Sequence, residues 1–340
     1  MTTDAVDTAT GTRNAVYALG EVRVAVATDH APVLAYLGDF YARTDAGRPW
    51  WLVDGRLEQP HPGMTVDSYG VGYLADQRQR RLLVRAADPE NLQISVRKAI
   101  REVMVAFCED RGYAMLHASA VHRDGLLIVF AGDKGAGKTT LALDAVVRHG
   151  FDYISNDHLI VYRDPGLGGL VVTSLPTPIP VKIGTYLAME DVLPVPWNTN
   201  GVDVDSYRRW PTAELRRLDT RLDYTFASFG QPNPVAVHCG VSGTARVVVV
   251  LPEYAPDGIA AEPQPGGSAS DLLAHLRIDW VFDPVHNPRH LPYPRRAVER
   301  FTADGQDLIS VLCADARMMR WAHTGQVAPL LHALDGGGAE

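Results

Sequence analysis

Residues 125–157 read GLLIVFAGDKGAGKTTLALDAVVRHGFDYISND, and the order of residue types in this stretch decides the fold. An apolar run at 126–130 enters a turn carrying Gly132, Gly135 and Gly137, and a helix-patterned segment opens at Lys138. That order is strand, glycine-rich loop, helix. It matches G-x-x-x-x-G-K-[ST] in full: Gly132, four residues, then Gly137, Lys138 and Thr139. The glycines let backbone N–H groups converge on phosphate oxygens, and a helix N-terminus adds unpaired N–H groups and the positive end of its dipole.

The stretch therefore predicts a nucleoside triphosphate, ATP, cradled by Asp133, Lys134, Gly135, Ala136, Gly137, Lys138, Thr139 and Thr140. Lys138 is placed to reach the β- and γ-phosphates, and the Thr139 hydroxyl to complete a Mg²⁺ site. The alternative is a glycine-rich turn whose lysine is merely solvated; both flanks that the motif requires favour the phosphate loop. A second apolar segment, 151–155, follows the helix and ends in Asn156-Asp157. A carboxylate at the carboxyl end of the next strand lies at the mouth of a phosphate site, so Asp157 is the expected second metal ligand. Without the loop it would read as an ordinary acid capping a turn.

With its flanks, the segment LHASAVHRDGLLIVFAGDKGAGKTTLALDAVVRHGFDYISNDHLIVYRD resembles the core of the HPr kinase/phosphorylase family. More distantly it is similar to the phosphoenolpyruvate carboxykinase fold and to HPr-kinase-like kinases of peptide and natural-product pathways. Three features carry the resemblance over about 117–164: His117 in LHASAV, the loop GDKGAGKT, and the acidic strand end one helix later. It implies an α/β fold with a P-loop core of this type. It also implies that His117 lies near the metal and the reacting phosphoryl group, with Lys138 and Thr139 as the loop lysine and hydroxyl.

Asp157 falls on the second acid of the family's Asp-Asp pair. Asn156 stands where the first acid, the proton acceptor, is expected, and Lys134 replaces a usual loop serine. An amide cannot take up a proton, so the base is Asp157 or His117, and Asn156 is expected to orient the acceptor hydroxyl. These departures point to a specialised relative. Family members often assemble, which makes a homo-oligomer an expectation.

The chain has 340 residues, 46% hydrophobic and 21% charged, as expected of a soluble globular protein with ample core. A formal net charge of −8 without a basic run argues against nucleic acid or an anionic membrane as partner. Cys108, Cys239 and Cys313 are odd in number and widely spaced, which suggests reduced thiols in a cytoplasmic protein. The polar start, MTTDAVDTATGTRNAV, lacks the basic and apolar regions of a signal peptide, and no apolar run reaches membrane-spanning length. Lysine occurs only as Lys98, Lys134, Lys138 and Lys182; Lys182, in PTPIPVKIG, is a weak candidate for neutralising phosphate.

Along the chain, a disordered tail is expected over 1–14, an N-terminal α/β domain over 15–87, the kinase-like domain over 88–335, and a frayed end over 336–340. Alternation around Gly20 predicts two strands, Pro32 starts a helix, and 68–74 with 81–85 form a hairpin. Asp88-Pro89 starts a helix whose Leu92, Val96, Ile100, Val103 and Phe107 share one face, expected to pack on the nucleotide domain. Residues 114–121 read as one strand, with His117 and Ser119 on the same face. RVVVVL at 246–251 is a buried strand, and 295–334 reads as helices broken near Gly305 and Gly325. The aperiodic span 193–210 is a candidate substrate loop, with Asp203, Asp205, Arg208 and Arg209 as weak contacts.

Two function classes fit. One is an ATP-dependent kinase acting on a hydroxyl of a small metabolite or peptide, with a true HPr-type protein serine kinase as the nearest rival. The other is a nucleotide-dependent switch or binding module. A kinase makes one phosphorylated product per ADP, whereas a switch releases free phosphate.

Overall fold

The computed structural model describes residues 5–7, 12–166, 168–215, 217–231, 234–240, 245–255, 261–283, 285, 289–292 and 294–335. By its internal contacts the chain divides into two units, residues 1–112 with 278–301, and residues 113–277 with 302–340. Among the described residues no helix is long and apolar enough to cross a membrane. The expected frayed end, 336–340, lies outside the described residues.

The first unit is built on strands β1 (Ala5–Asp7), β2 (Thr12–Leu19), β3 (Val22–Thr28), β4 (Ala42–Arg43), β5 (Trp51–Leu57), β6 (Thr65–Val66), β7 (Gly72–Asp76) and β8 (Arg81–Ala86). They form one sheet in the order β1-β2-β3-β5-β8-β7-β6, with β4 also on β2. The two strands expected around Gly20 are β2 and β3, which pair as a hairpin, and β7–β8 is the expected hairpin. The tail expected over 1–14 differs, because Ala5–Asp7 pairs antiparallel with residues 12–14 and so extends the ladder.

Helices α1 (Ala31–Gly38) and α2 (Pro89–Arg111) complete this unit. Asp88 caps α2 by accepting from the Asn91 N–H at 2.7 Å, and Gly112 closes it with φ 71°. The apolar face of α2, expected to pack on the nucleotide domain, covers β5 and β8 of its own unit, whose boundary falls at 112 where 87/88 was expected. A Cβ at Gly55 in β5 would lie 2.5 Å from Val96 Cγ2, so the strand carries a glycine where the helix presses on it. Residues 278–301 join this unit because Glu102 of α2 accepts from the His290 and Leu291 N–H groups at 2.5 and 2.6 Å, and Arg296 Nε donates to the Glu109 carbonyl at 2.8 Å.

The second unit begins with β9 (Ala114–Leu116), β10 (Ala118–Arg123), β11 (Leu126–Ala131), α3 (Lys138–His149), β12 (Asp152–Ser155), β13 (Leu159–Arg163), β14 (Leu170–Ser174) and β15 (Ile179–Lys182). It continues with α4 (Ile183–Met189), α5 (Thr212–Leu215), β16 (Arg221–Tyr224), β17 (Val237–Cys239), β18 (Arg246–Tyr254), β19 (Gln264–Pro265) and α6 (Ala269–Leu273). Helix α7 (Ile278–Phe282) falls in the first unit; α8 (Val298–Ala314), β20 (Arg317–His323) and α9 (Ala328–Asp335) follow.

One sheet runs β12-β10-β11-β18-β20-β19, and a second β17-β14-β13-β9. The central ladder, β11 with β18 and β18 with β20, is parallel. The helical reading of 295–334 is therefore corrected in two places. Gly305 lies inside α8, and residues 317–323 form a strand whose Met319, Trp321 and His323 are buried in alternation. Helices α3 and α9 cover this sheet, packing Leu141, Ala142, Leu143, Leu330 and Leu334 with Ile128, Phe130, Val248, Val250, Met319 and Trp321. Phe130 is fully buried at this centre. Phe130→Ala is expected to lower unfolding free energy by about 3–5 kcal/mol in urea titrations, through lost burial and the cavity left behind.

Candidate functional site

Strand β11 delivers the loop of residues 132–137 into α3, and the turn is closed by Gly137 in the left-handed region at φ 88°. Gly132 packs close to the loop's far side, since a Cβ there would lie 3.2 Å from Ala136 Cβ. Asp133, Lys134 and Gly135 form an exposed tip, whereas Lys138 is buried. Its ammonium is folded back onto its own loop, donating to the Gly132 carbonyl at 2.6 Å and the Asp133 carbonyl at 3.1 Å. Burial pushes the Lys138 ammonium below its ordinary pKa, against the opposing pull of Asp157 and Asp133.

His117 and Asn156-Asp157 occupy two places where the chain leaves one sheet for the other. His117 separates β9 from β10, and Asn156-Asp157 separates β12 from β13. The single strand expected over 114–121 is thus broken at His117. Its N–H bonds to the His275 carbonyl at 2.8 Å instead of continuing a ladder into β10. Across the crossings, His117 Nε2 lies 3.4 Å from Asp157 Oδ1, with each side chain about a third exposed at 35% and 34%. Ser119 Oγ donates to the Asn156 carbonyl at 2.6 Å and Ser155 Oγ to the Ala118 carbonyl at 3.0 Å, stitching the crossings together.

Burial acts to raise the Asp157 carboxyl, but the hydrogen bond from His117 and the pull of His158, His117 and Lys138 outweigh it and hold it below its ordinary value. A carboxyl lowered on folding adds stability above its unfolded pKa, and that stability is lost as pH falls through the lowered folded value. Urea midpoints measured between pH 6 and pH 3 are expected to fall more steeply for the wild type than for Asp157→Asn. Equal slopes would show that the pairing contributes nothing.

Asn156 is only 3% exposed, and its Oδ1 accepts from the Thr139 and Tyr153 hydroxyls, each at 3.0 Å. That oxygen holds the Thr139 hydroxyl, so the Asn156 side chain positions it. Lys182 does reach the neighbourhood of the loop. Its Nζ lies 3.9 Å from Asp219 Oδ1, which also draws Lys134 at 3.7 Å and Arg221 at 2.7 Å. The other loop candidates pair elsewhere: Arg208 binds Glu190 at 2.6 Å and Asp205 at 2.7 Å. Among the described residues no hydrogen bond or ion pair joins Asp203, Asp205, Arg208 or Arg209 to the glycine-rich loop, His117 or Asp157.

Three residues at the site were not foreseen. The bridge Leu116↔Leu276 brings His275 and Arg277 beside β9, and both are electrostatically coupled to Lys138. Burial first, then the charge of Lys138, pushes the His275 imidazole below its ordinary pKa. His323, at the end of β20, is fully buried and bonds the Ala136 carbonyl through Nε2 at 2.8 Å. Its Nδ1 accepts from the Gly325 N–H at 3.0 Å, which fixes the tautomer with the proton on Nε2, donating to the loop. Just beyond, the Val327 N–H donates to buried Asp144 of α3 at 2.7 Å, so residues 323–327 strap both ends of the loop-helix junction. No sequence motif marks His275 or Arg277; alternation in RMMRWAH was the signal for His323.

Among the described residues no group of three or more His, Cys, Asp or Glu is placed to hold a metal ion. Mg²⁺ bound to phosphates needs no such group, since one or two protein oxygens suffice beside phosphate and water. The Thr139 hydroxyl and the ionised Asp157 carboxylate are oxygen donors of that kind, so the residues present fit it. Compared with known proteins, the chain matches no family model and no curated protein.

Proposed function

We propose that this chain is an ATP-dependent phosphotransferase with an HPr kinase/phosphoenolpyruvate carboxykinase-like core, transferring the γ-phosphoryl group to a hydroxyl of a small metabolite or peptide. One observation carries the reading: the His117–Asp157 pair, at 3.4 Å, adjoins Asn156, whose amide oxygen holds the Thr139 hydroxyl of the loop at 3.0 Å. Reactive phosphoryl oxygens and a proton-accepting side chain would then share one place.

In a loose transition state, charge spreads over the phosphoryl oxygens, and positioning with positive charge supplies most of the catalysis. Lys138 leaves the Gly132 and Asp133 carbonyls to meet that charge, and the first amides of α3 add their dipole. Mg²⁺, held by Thr139 and Asp157 when bound, supplies further positive charge at the phosphates. Asn156 keeps the Thr139 hydroxyl in register. His117 takes the proton of the attacking hydroxyl, because the Asn156 amide cannot and Asp157 is committed to the metal. The cations gathered on Asp219 are a reserve of charge beside the loop.

A second reading, a nucleotide-dependent switch, is favoured by the amide at position 156, which removes the family's proton acceptor. Incubation with γ-labelled ATP and a panel of hydroxyl compounds and peptides separates the two. One phosphorylated product per ADP, detected by mass, supports the kinase; ADP with only free phosphate supports the switch. Failure to form any ADP, together with failure to bind ATP in a direct titration, would remove both readings.

A further inference from the structure

The first unit contains a cavity of about 350 Å³ lined by Glu21, Arg23, Arg48, Pro49, Trp50, Arg80, Phe107 and Arg111. Four arginines face one glutamate there, an excess of three positive charges in a protein whose net charge is −8. Like charges crowded into one concavity repel unless a counter-charge joins them. Among the described residues none of the four arginines forms an ion pair with an acid.

The pocket is also braced. Arg23 is held by backbone carbonyls, its Nη1 donating to Gly20 at 2.5 Å and Val22 at 3.1 Å and its Nε to Ala46 at 3.3 Å. The Trp50 N–H in turn donates to the Arg23 carbonyl at 2.7 Å. Trp50 meets Phe107 edge-on at 5.2 Å, and the Arg111 guanidinium lies over the Phe107 ring at 5.2 Å. Arg80 sits at the tip of the β7–β8 hairpin with φ 50°, a conformation that glycine or asparagine adopts at less cost. Arg23 and Arg111, held in this way beside Trp50 and Phe107, with the exposed Arg48 and Arg80 at the rim, are suited to fork-like bonding of oxyanions.

We infer that this cavity is a binding site for a multivalent oxyanion, a phosphate ester or a polycarboxylate, separate from the phosphate loop. Guanidinium forks supply the affinity, and Trp50 with Phe107 carries any apolar body the anion has.

The test uses the full chain as Lys138→Ala, which disables the phosphate loop as a competing anion site, titrated calorimetrically with pyrophosphate and with citrate at constant ionic strength. At least one of the two is expected to bind, and adding Arg48→Ala/Arg80→Ala to weaken it by about tenfold or more. Arg48→Lys/Arg80→Lys keeps the charge and removes the forks, so an intermediate loss is expected and a folding defect in the alanine variant is bypassed. Arg246→Ala/Arg317→Ala, at exposed positions outside the cavity, is expected to leave binding unchanged. Tighter pyrophosphate names a phosphate source and tighter citrate a carboxylate source, both in support. Absence of heat with both anions, or equal affinity before and after loss of Arg48 and Arg80, would overturn the assignment.

Discussion

Lys138→Ala is expected to lower phosphoryl transfer by about 10²–10³-fold, the cost of removing one positioned donor from charge that develops in a transition state. The side chain is nearly buried and its ammonium has no protein carboxylate within ion-pairing distance among the described residues, only two loop carbonyls. Those bonds can be exchanged for phosphate oxygens without unfolding anything. The measurement is single-turnover product formation with γ-labelled ATP, alongside thermal melts to show that the variant is folded. Lys138→Met, which keeps the stem and drops the charge, is expected to match it. Unimpaired transfer in both would move the chemistry away from this loop.

Gly137→Ala is expected to do comparable damage by a different route. The residue has φ 88°, where a Cβ costs about 1–2 kcal/mol. That Cβ would lie 2.6 Å from His323 Nε2 and nearer still to Cε1. His323 has no room to retreat, being fully buried with Trp321 at 5.2 Å and Tyr254 at 5.5 Å. Its bond to the Ala136 carbonyl is lost, adding about 1 kcal/mol. Denaturation is expected to show at least ~2 kcal/mol of destabilisation, and nucleotide titration a weakened affinity. Gly135→Ala is the matched control: its φ is 96°, but nothing lies within 4 Å of the added Cβ, so only backbone strain is expected. Equal effects at the two positions would mean that His323 does not brace the loop.

What the sequence made legible is local. The strand, glycine-rich loop and helix are written in fixed spacing, α2 in an acid-proline start and an apolar face at helical spacing, and the strands β2 and β3 and the β7–β8 hairpin in their alternation. What it hid is long-range. LHASAV alternates without a break, yet the chain changes sheets at His117 because the His275 carbonyl, far downstream, takes its N–H. The destination of residues 278–301 depends on Glu102 and Glu109 of α2, acids that read as solvated from their own neighbourhood. β20 did carry a period of two, but its apolar positions also suit a helix, and the deciding partner, β18, lies more than sixty residues upstream. The partners of Asn156 were hidden too, since neither Thr139 nor Tyr153 announces itself in its neighbourhood.

The strap at 323–327 ties the shape of the glycine-rich loop to the order of synthesis. His323 latches a carbonyl 187 positions earlier, and Val327 an acid 183 positions earlier. A nascent chain that has emerged only as far as β12 already spells the whole glycine-rich signature but has no latch for it. Premature termination before Arg317 is therefore expected to yield a product that carries the whole signature without the contacts that brace it.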